Sequence, residues 1–275
     1  MSAAALPGFA KAGAFLRRDA LMAASYRFTF ALQAVQIVLT VAMAYYLAEF
    51  LRRQGLESVA PFARSYFPFV ILGLAFWDLL GAALDSFSRA VREAQLTGTL
   101  EALAVTPTSL EAVLFGSSLY PFLAASARVG VYLAAGVLWF GLPLEGARWG
   151  TALVLLLLSL AAFSSLGLLA ACFVLVFHKG NPVTWVVLGA SGLAGGVFYP
   201  VAALPPGFGL LAQALPLTHC LEGMRRALLG GESFSTLWPQ TLALAVFAGV
   251  GLPVSLALFR WSVGHARRRG TLGRY

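Results

Sequence analysis

Long apolar runs, each closed by a short cluster of polar, proline or glycine residues, recur along the whole chain. The first is Phe28 to Ala48, about the ~20 residues a helix needs to cross a bilayer. Further runs cover 65–84, 108–140, 149–177, 183–199 and 238–259. Pro107 precedes the third, and Thr108 with Glu111 has the spacing of a capping box, so a helix is predicted to start there. Pro121 predicts a kink inside it. Gly192 and Gly196 have the GxxxG spacing that lets helices approach closely. Residues 1–27 instead interleave Lys11, Arg17, Arg18 and Arg27 with Leu6, Phe9, Phe15, Leu16 and Leu21, the pattern of an amphipathic helix lying in the membrane interface. Ala42-Met43-Ala44 resembles a cleavage site. Its charged leader is longer than a usual signal peptide's and more spans follow, so 28–48 reads as a span. The prediction is an all-α membrane protein of about six transmembrane helices, one transmembrane domain over 1–275.

Two interruptions stand apart. Residues 89–107, RAVREAQLTGTLEALAVTP, are long enough to lie along a membrane surface. Leu96, Leu100 and Leu103 recur at helical spacing on one face, with Arg89, Arg92, Glu93 and Glu101 around it, and Thr97-Gly98-Thr99 loosens the middle. On pattern alone an ordinary surface loop fits equally. Residues 200–231 are too apolar for a free loop, yet Pro205, Pro206, Gly207, Gly209 and Pro216 forbid one continuous helix. Two short helices dipping into the outer leaflet and returning satisfy both facts, and backbone broken at that depth must be covered by protein or line a wet cavity. An amphipathic helix resting on the surface is the other arrangement.

Composition agrees with lipid as the solvent. Of 275 residues, 60% are hydrophobic and only 11% charged, and the mean hydropathy is +0.83, against about a quarter charged in soluble domains. The net charge of +8 sits at the ends of apolar runs, which fits anionic headgroups and excludes a nucleic-acid groove as the better reading. Lys11, Arg17, Arg18, Arg27, Arg89, Arg92, Lys179, Arg260, Arg267, Arg268, Arg269 and Arg274 fall on one side. Arg52, Arg53, Arg64, Arg148, Arg225 and Arg226 fall on the other, near Glu49, Glu57, Glu145 and Glu222. That bias places both termini in the cytoplasm of a multi-pass protein of the cell's inner (plasma) membrane. Cys172 and Cys220 lie in unlike segments and make no disulfide framework.

Catalytic chemistry is thin. Neither Lys11 nor Lys179 is followed by Ser or Thr, so no P-loop exists and ATP cannot be bound in that manner. His219 and Glu222 are three apart, a metal-binding spacing, but no second ligand pair accompanies them, so no metal site and no catalytic residue is assigned. Ser117, Ser118, Ser159, Ser164 and Ser165 are read as interhelical packing residues. Two charges lie at depth. Asp78 and Arg128 each sit about twelve residues from the outer end of antiparallel helices, and at ~1.5 Å per residue they share one level. Either they pair, or Arg128 faces a wet cavity alone.

The segment Glu93–Pro107, with Gly98-Thr99-Leu100-Glu101 and Thr106-Pro107, resembles the cytoplasmic coupling helix of the membrane permeases of type-2 ATP-binding-cassette transporters. The stretch from Gly195 to Gly230, with Phe198-Tyr199-Pro200, Leu204-Pro205, Leu215-Pro216-Leu217-Thr218 and Glu222 through Arg225, resembles that family's outer re-entrant hairpin. The six-span layout extends the likeness over nearly the whole chain. The resemblance implies a pathway enclosed by two copies, or by this chain and a related permease, among membrane lipids. It implies a separate ABC ATPase subunit holding ATP and Mg, with no cofactor in this chain and no nucleic-acid partner. Arg92, Glu93, Leu96, Gly98, Thr99, Leu100, Glu101, Leu103, Thr106 and Pro107 would meet the ATPase. Phe198, Tyr199, Pro200, Pro205, Pro206, Pro216, Glu222 and Arg225 would form an outer gate. Short external loops favour export of a drug or lipid-like amphiphile. A lipid-linked saccharide or sodium exporter of the same family is the alternative, and a non-transporting membrane scaffold or intramembrane enzyme is the reading from another class.

Overall fold

The computed structural model describes residues 8–25, 27–54, 66–99, 109–177, 181–205 and 207–269. Among them every regular element is helical. In chain order these are α1 (Gly8–Ala24), α2 (Arg27–Arg53), α3 (Tyr66–Leu96), α4 (Leu110–Phe140), α5 (Trp149–Phe177), α6 (Pro182–Ala194), α7 (Phe208–Gln213), α8 (Pro216–Leu228) and α9 (Trp238–Arg269). Five of them, α2, α3, α4, α5 and α9, are long and apolar enough to cross a membrane.

The fold is wrapped around α3. Phe69, Ile71, Leu72, Phe76, Leu79, Leu80, Leu84 and Phe87 are fully buried along it, so both its flanks are covered. Helices α4 and α5 pack against its length, with α2, α6 and α8 on its remaining sides. Small residues set the closest approaches. A Cβ at Gly167 of α5 would overlap the Ala83 carbonyl, and one at Gly73 would overlap the carbonyl of Val197. Outward surfaces are apolar: Leu32, Val35, Leu138, Leu157, Val186 and Val250 are exposed, as expected of residues facing lipid tails.

Four boundaries differ from the sequence pattern, one of them at α9, which runs past 259 to Arg269. Helix α3 does not stop near 84 but continues to Leu96, because Phe87, Val91 and Gln95 keep a buried face that packs with Leu114, Leu168 and Leu175. Arg89 to Leu96 are therefore the end of a spanning helix. Helix α4 starts one residue later than the capping-box reading, with Ser109 as N-cap and its side chain accepting from Ala112 N at 3.3 Å; Thr108 lies outside the described residues. It continues unbroken through Pro121. Helix α6 ends at Ala194, short of Tyr199. Its 13 residues span about 20 Å, and Gly196 adopts φ +79, which closes it. Gly192 and Gly196 thus share no helical face: Gly192 meets the Trp77 ring, and Gly196 meets Val201 and the Arg225 guanidinium.

The amphipathic segment forms α1, which packs on α4: the Phe15 ring fills the space that a side chain at Gly116 would take. At the same end Arg260 Nε donates to Glu111 Oε1 at 2.9 Å, tying α9 to α4. At the opposite end Glu49 accepts from Arg52 at 2.6 Å and from Arg53 at 3.1 Å.

Gly73→Ala is expected to lower the thermal midpoint of the solubilised chain, by the equivalent of about 1–3 kcal/mol, since α3 and the backbone at Val197 must separate. Gly130→Ala, where a Cβ meets nothing within 4 Å, is expected to be neutral or slightly stabilising. Equal midpoints for the two variants in a fluorescence melt would show that this crossing does not limit stability.

Candidate functional site

A cleft of about 1410 Å³ opens between α1, α2, α3 and α4. It is built from one face of each long helix. On α2, Thr29, Gln33, Gln36 and Thr40 recur at helical spacing and all line it. On α3 the lining residues include Asp78, Asp85 and Arg89, and on α4 Ser117, Tyr120, Arg128 and Tyr132. The sequence reading singled out Asp78 and Arg128 but missed the α2 stripe. A polar residue every three or four positions was its signal, hidden by the apolar residues averaged with it.

Asp78 and Arg128 meet in this cleft. Arg128 Nε donates to Asp78 Oδ2 at 2.8 Å, and the side chains stay 23% and 37% exposed for Arg128 and Asp78. Asp78 lies roughly 18 Å along α3 from Tyr66, and Arg128 roughly 18 Å along α4 from Phe140. Charges half-exposed at that depth need water beside them, because hydrocarbon would cost several kcal/mol per charge. The cleft is therefore expected to hold water. Nearer the α1 end, Arg89 approaches Asp85 at 3.9 Å, and Arg18 pairs with Asp19 at 2.7 Å.

The segment 89–107 is described only in part. Arg92 and Glu93 are exposed on the last turns of α3, and Leu96 is 65% exposed at its end. The helix closes at Gly98 with φ +65, and Thr97 Oγ1 donates to Glu93 O at 2.7 Å while sharing a hydrogen bond with Thr99 Oγ1. Leu100, Glu101, Leu103, Thr106 and Pro107 lie outside the described residues.

The predicted gate residues gather where α6 breaks. Beyond Gly196 the chain crosses α3 at Gly73. Its carbonyls would face protein with no donor, and two side chains supply one, while Tyr199 serves the last turn of α6. Tyr66 Oη donates to Phe198 O at 2.9 Å, and Tyr199 Oη donates back to Leu193 O. Arg225, 4% exposed, donates through Nε and Nη2 to Phe69 O at 3.2 and 2.8 Å and reaches Val197 O at 3.4 Å. Its guanidinium also lies 3.4 Å from the centroid of the Phe69 ring. The sequence reading placed Arg225 among the outer-side arginines and at the gate; it lies buried on backbone carbonyls. Arg226 takes the ion pair instead, with Glu232 at 2.7 Å and Glu222 at 3.6 Å, and hydrogen bonding to Glu232 raises its pKa above the ordinary arginine value. Glu222 also accepts from Gln240 at 3.2 Å. Pro200 caps a 3₁₀ turn, Val201–Ala203. Pro205 follows it exposed, and Pro216 opens α8; Pro206 lies outside the described residues. His219 Nε2 sits 3.0 Å from Gln213 O, and Cys172 and Cys220 are both buried free thiols.

Comparison with known proteins adds a family. Residues 87–229, just over half of the chain, match the family model described as ABC-2 type transporter. The chain is also 28% identical over 166 residues to the "Inner membrane transport permease YadH" of Escherichia coli K12, and to the proteins of that name in Escherichia coli O157:H7 and Shigella flexneri. That likeness spans 60% of this chain and 64% of each relative's length.

Cysteines placed at Gln33 and Gln36 are expected to react in nanodiscs with a charged, membrane-impermeant maleimide, while cysteines at Ala31 and Val35, exposed on the far side of α2, are not. Equal labelling of the two faces would mean that the recess is not wet.

Proposed function

The chain belongs to the ABC-2 type transporter family, and from that premise we propose that it is the membrane-spanning permease subunit of an ATP-driven exporter of the inner membrane. Two such subunits enclose the pathway, and a separate ABC ATPase supplies the work. The single observation that carries this reading is the family match over 87–229, which runs from the inner end of α3 to the end of α8. It takes in the segment resembling a coupling helix and the stretch resembling a re-entrant hairpin.

In this reading both termini are cytoplasmic, and α6 with the backbone to Tyr199 makes a sixth, shorter crossing. Helices α7 and α8 form the hairpin dipping into the outer leaflet. The ATPase docks on Arg92 through Thr106 and on α1, with Leu96, Leu100 and Leu103 in a groove of the motor and Arg92 and Glu101 making polar contacts. ATP must favour one arrangement of the pair over the other, or no work reaches the membrane. Helix α3 is the natural carrier. It is continuous from Tyr66 to Leu96, and its far end carries the Phe69 carbonyl held by Arg225. A push at the inner end would thus be delivered to the proposed gate.

The cargo that fits is a drug or lipid-like amphiphile, since the polar recess lies beside apolar walls such as Phe30, Ile37 and Leu74. Sodium as cargo would be served by carboxylates free of a cation, but Asp78 holds Arg128.

The test is copurification with a P-loop protein of roughly 25–35 kDa, sized as a single nucleotide-binding domain, followed by ATPase assays of the reconstituted pair across a compound panel. Stimulation by amphiphiles is expected. Absence of any ATPase partner would favour the scaffold reading. Glu101→Lys is expected to leave the permease inserted and the complex hydrolysing ATP, with transport lost; unchanged transport removes Glu101 from the interface.

A further inference from the structure

The cleft has a feature that goes beyond export of amphiphiles in general. Among the described residues, six of the seven charged side chains lining it form three oppositely charged pairs. Arg18–Asp19 stands at 2.7 Å by α1, Asp85–Arg89 at 3.9 Å one level further in, and Asp78–Arg128 at 2.8 Å at the deep end. Along α3, Asp85 and Asp78 are seven residues apart, which is about 10.5 Å. We infer that this ladder of ion pairs is a binding track for a zwitterionic headgroup, one that joins an anionic phosphate or carboxylate to a cationic ammonium, carried on an apolar chain. This rests on the transporter reading and names its substrate class.

The reason lies in what each kind of headgroup does to a pair. A singly charged group that engages Asp78 or Arg128 draws it from its partner and leaves the other charge uncompensated in a recess walled by hydrocarbon. That stranding costs most at Asp78–Arg128, the deep pair, and less at Asp85–Arg89, which is more than half exposed. A headgroup with both charges a few ångströms apart presents its ammonium to Asp78 and its phosphate to Arg128 together, so every charge keeps a partner. An uncharged headgroup gains nothing from the pairs. Each shallower rung repeats the same exchange, so a zwitterion can advance without a step at which one charge is bare. Gln33, Gln36 and Thr40, facing the pairs from α2, offer hydrogen bonds of either polarity. The volume of about 1410 Å³ exceeds the 300–1,000 Å³ usual for a drug-sized ligand, leaving space for a headgroup and the start of its chain.

The experiment uses the purified full-length chain in uncharged maltoside micelles. Lysolipids with one fluorescent acyl chain and three headgroups are titrated in: phosphocholine, phosphoglycerol and trimethylammonium. The phosphocholine probe is expected to bind saturably and about tenfold tighter than either singly charged probe, the scale of one unpaired charge partly screened by water. Asp78→Asn is expected to abolish that preference and move it toward the anionic probe, and Arg128→Gln toward the cationic one. A role confined to folding would lower all three affinities alike. Should either variant fail to fold, the exchange Asp78→Arg with Arg128→Asp keeps the pair and is expected to keep the preference. Equal affinity for the three probes in the unaltered chain would overturn the inference, as would displacement of the phosphocholine lysolipid by equimolar chainless glycerophosphocholine. Those results with amphiphile-stimulated ATPase intact discard the headgroup track alone. A missing ATPase partner discards the transporter reading and leaves the binding result standing.

Discussion

Hydrocarbon offers no hydrogen-bond partner, and that constraint shapes every irregular feature of this molecule. A helix satisfies its own backbone, so a chain built of helices meets the requirement until one of them breaks. Helix α6 breaks at Gly195–Gly196, and the carbonyls of the residues that follow need donors. Arg225 and Tyr66 provide them from two different helices. Arginine suits this place because its guanidinium spreads one charge over several donors and stacks on an aromatic face, as it does on Phe69. The absent side chain at Gly73 is the other half of the arrangement, since it lets the broken backbone reach α3 at all.

The same constraint explains why the polar side chains of the long helices face one cleft. Thr29, Gln33, Gln36 and Thr40 line the same cleft as Asp78 and Arg128, so that face of α2 is turned from the lipid. The opposite face of α2 presents Val35 and Leu39. A bundle that scattered those residues over its perimeter would carry each as a separate cost in lipid. Gathering them makes a recess with its own solvent, and the ion pairs keep that recess near neutrality at every depth.

Under the proposed function, α3 joins these regions mechanically. Its inner turns carry Arg92 and Glu93, its middle carries Asp78, and its far end carries Phe69 and Tyr66. A continuous helix transmits displacement without absorbing it in backbone torsions, and dense packing leaves its neighbours little room to yield. Beside it, α1 packs on α4 with Phe15 seated over Gly116, and its Arg18 and Asp19 line the same cleft. Motion at the membrane surface and polarity at mid-depth are therefore features of one rigid element.

Much was legible in the residues alone. Hydropathy marked the five long helices, because crossing lipid demands about twenty apolar residues in a row and little else imitates that. Residue counting put Asp78 and Arg128 at one depth, since the helical rise is fixed. Other features waited for the fold. Whether α3 stopped at 84 or ran to 96 depended on what covered Phe87 and Val91, and those partners come from α4 and α5. Arg225 and Arg226 are neighbours of identical chemistry, so nothing local could say which one would be buried on carbonyls and which would take Glu232. The cleft itself needed four helices, α1 to α4, brought together. Sequence settled what each helix must avoid, because that follows from a side chain's own free energy in lipid; packing settled what each helix meets, because that is a property of pairs distant along the chain.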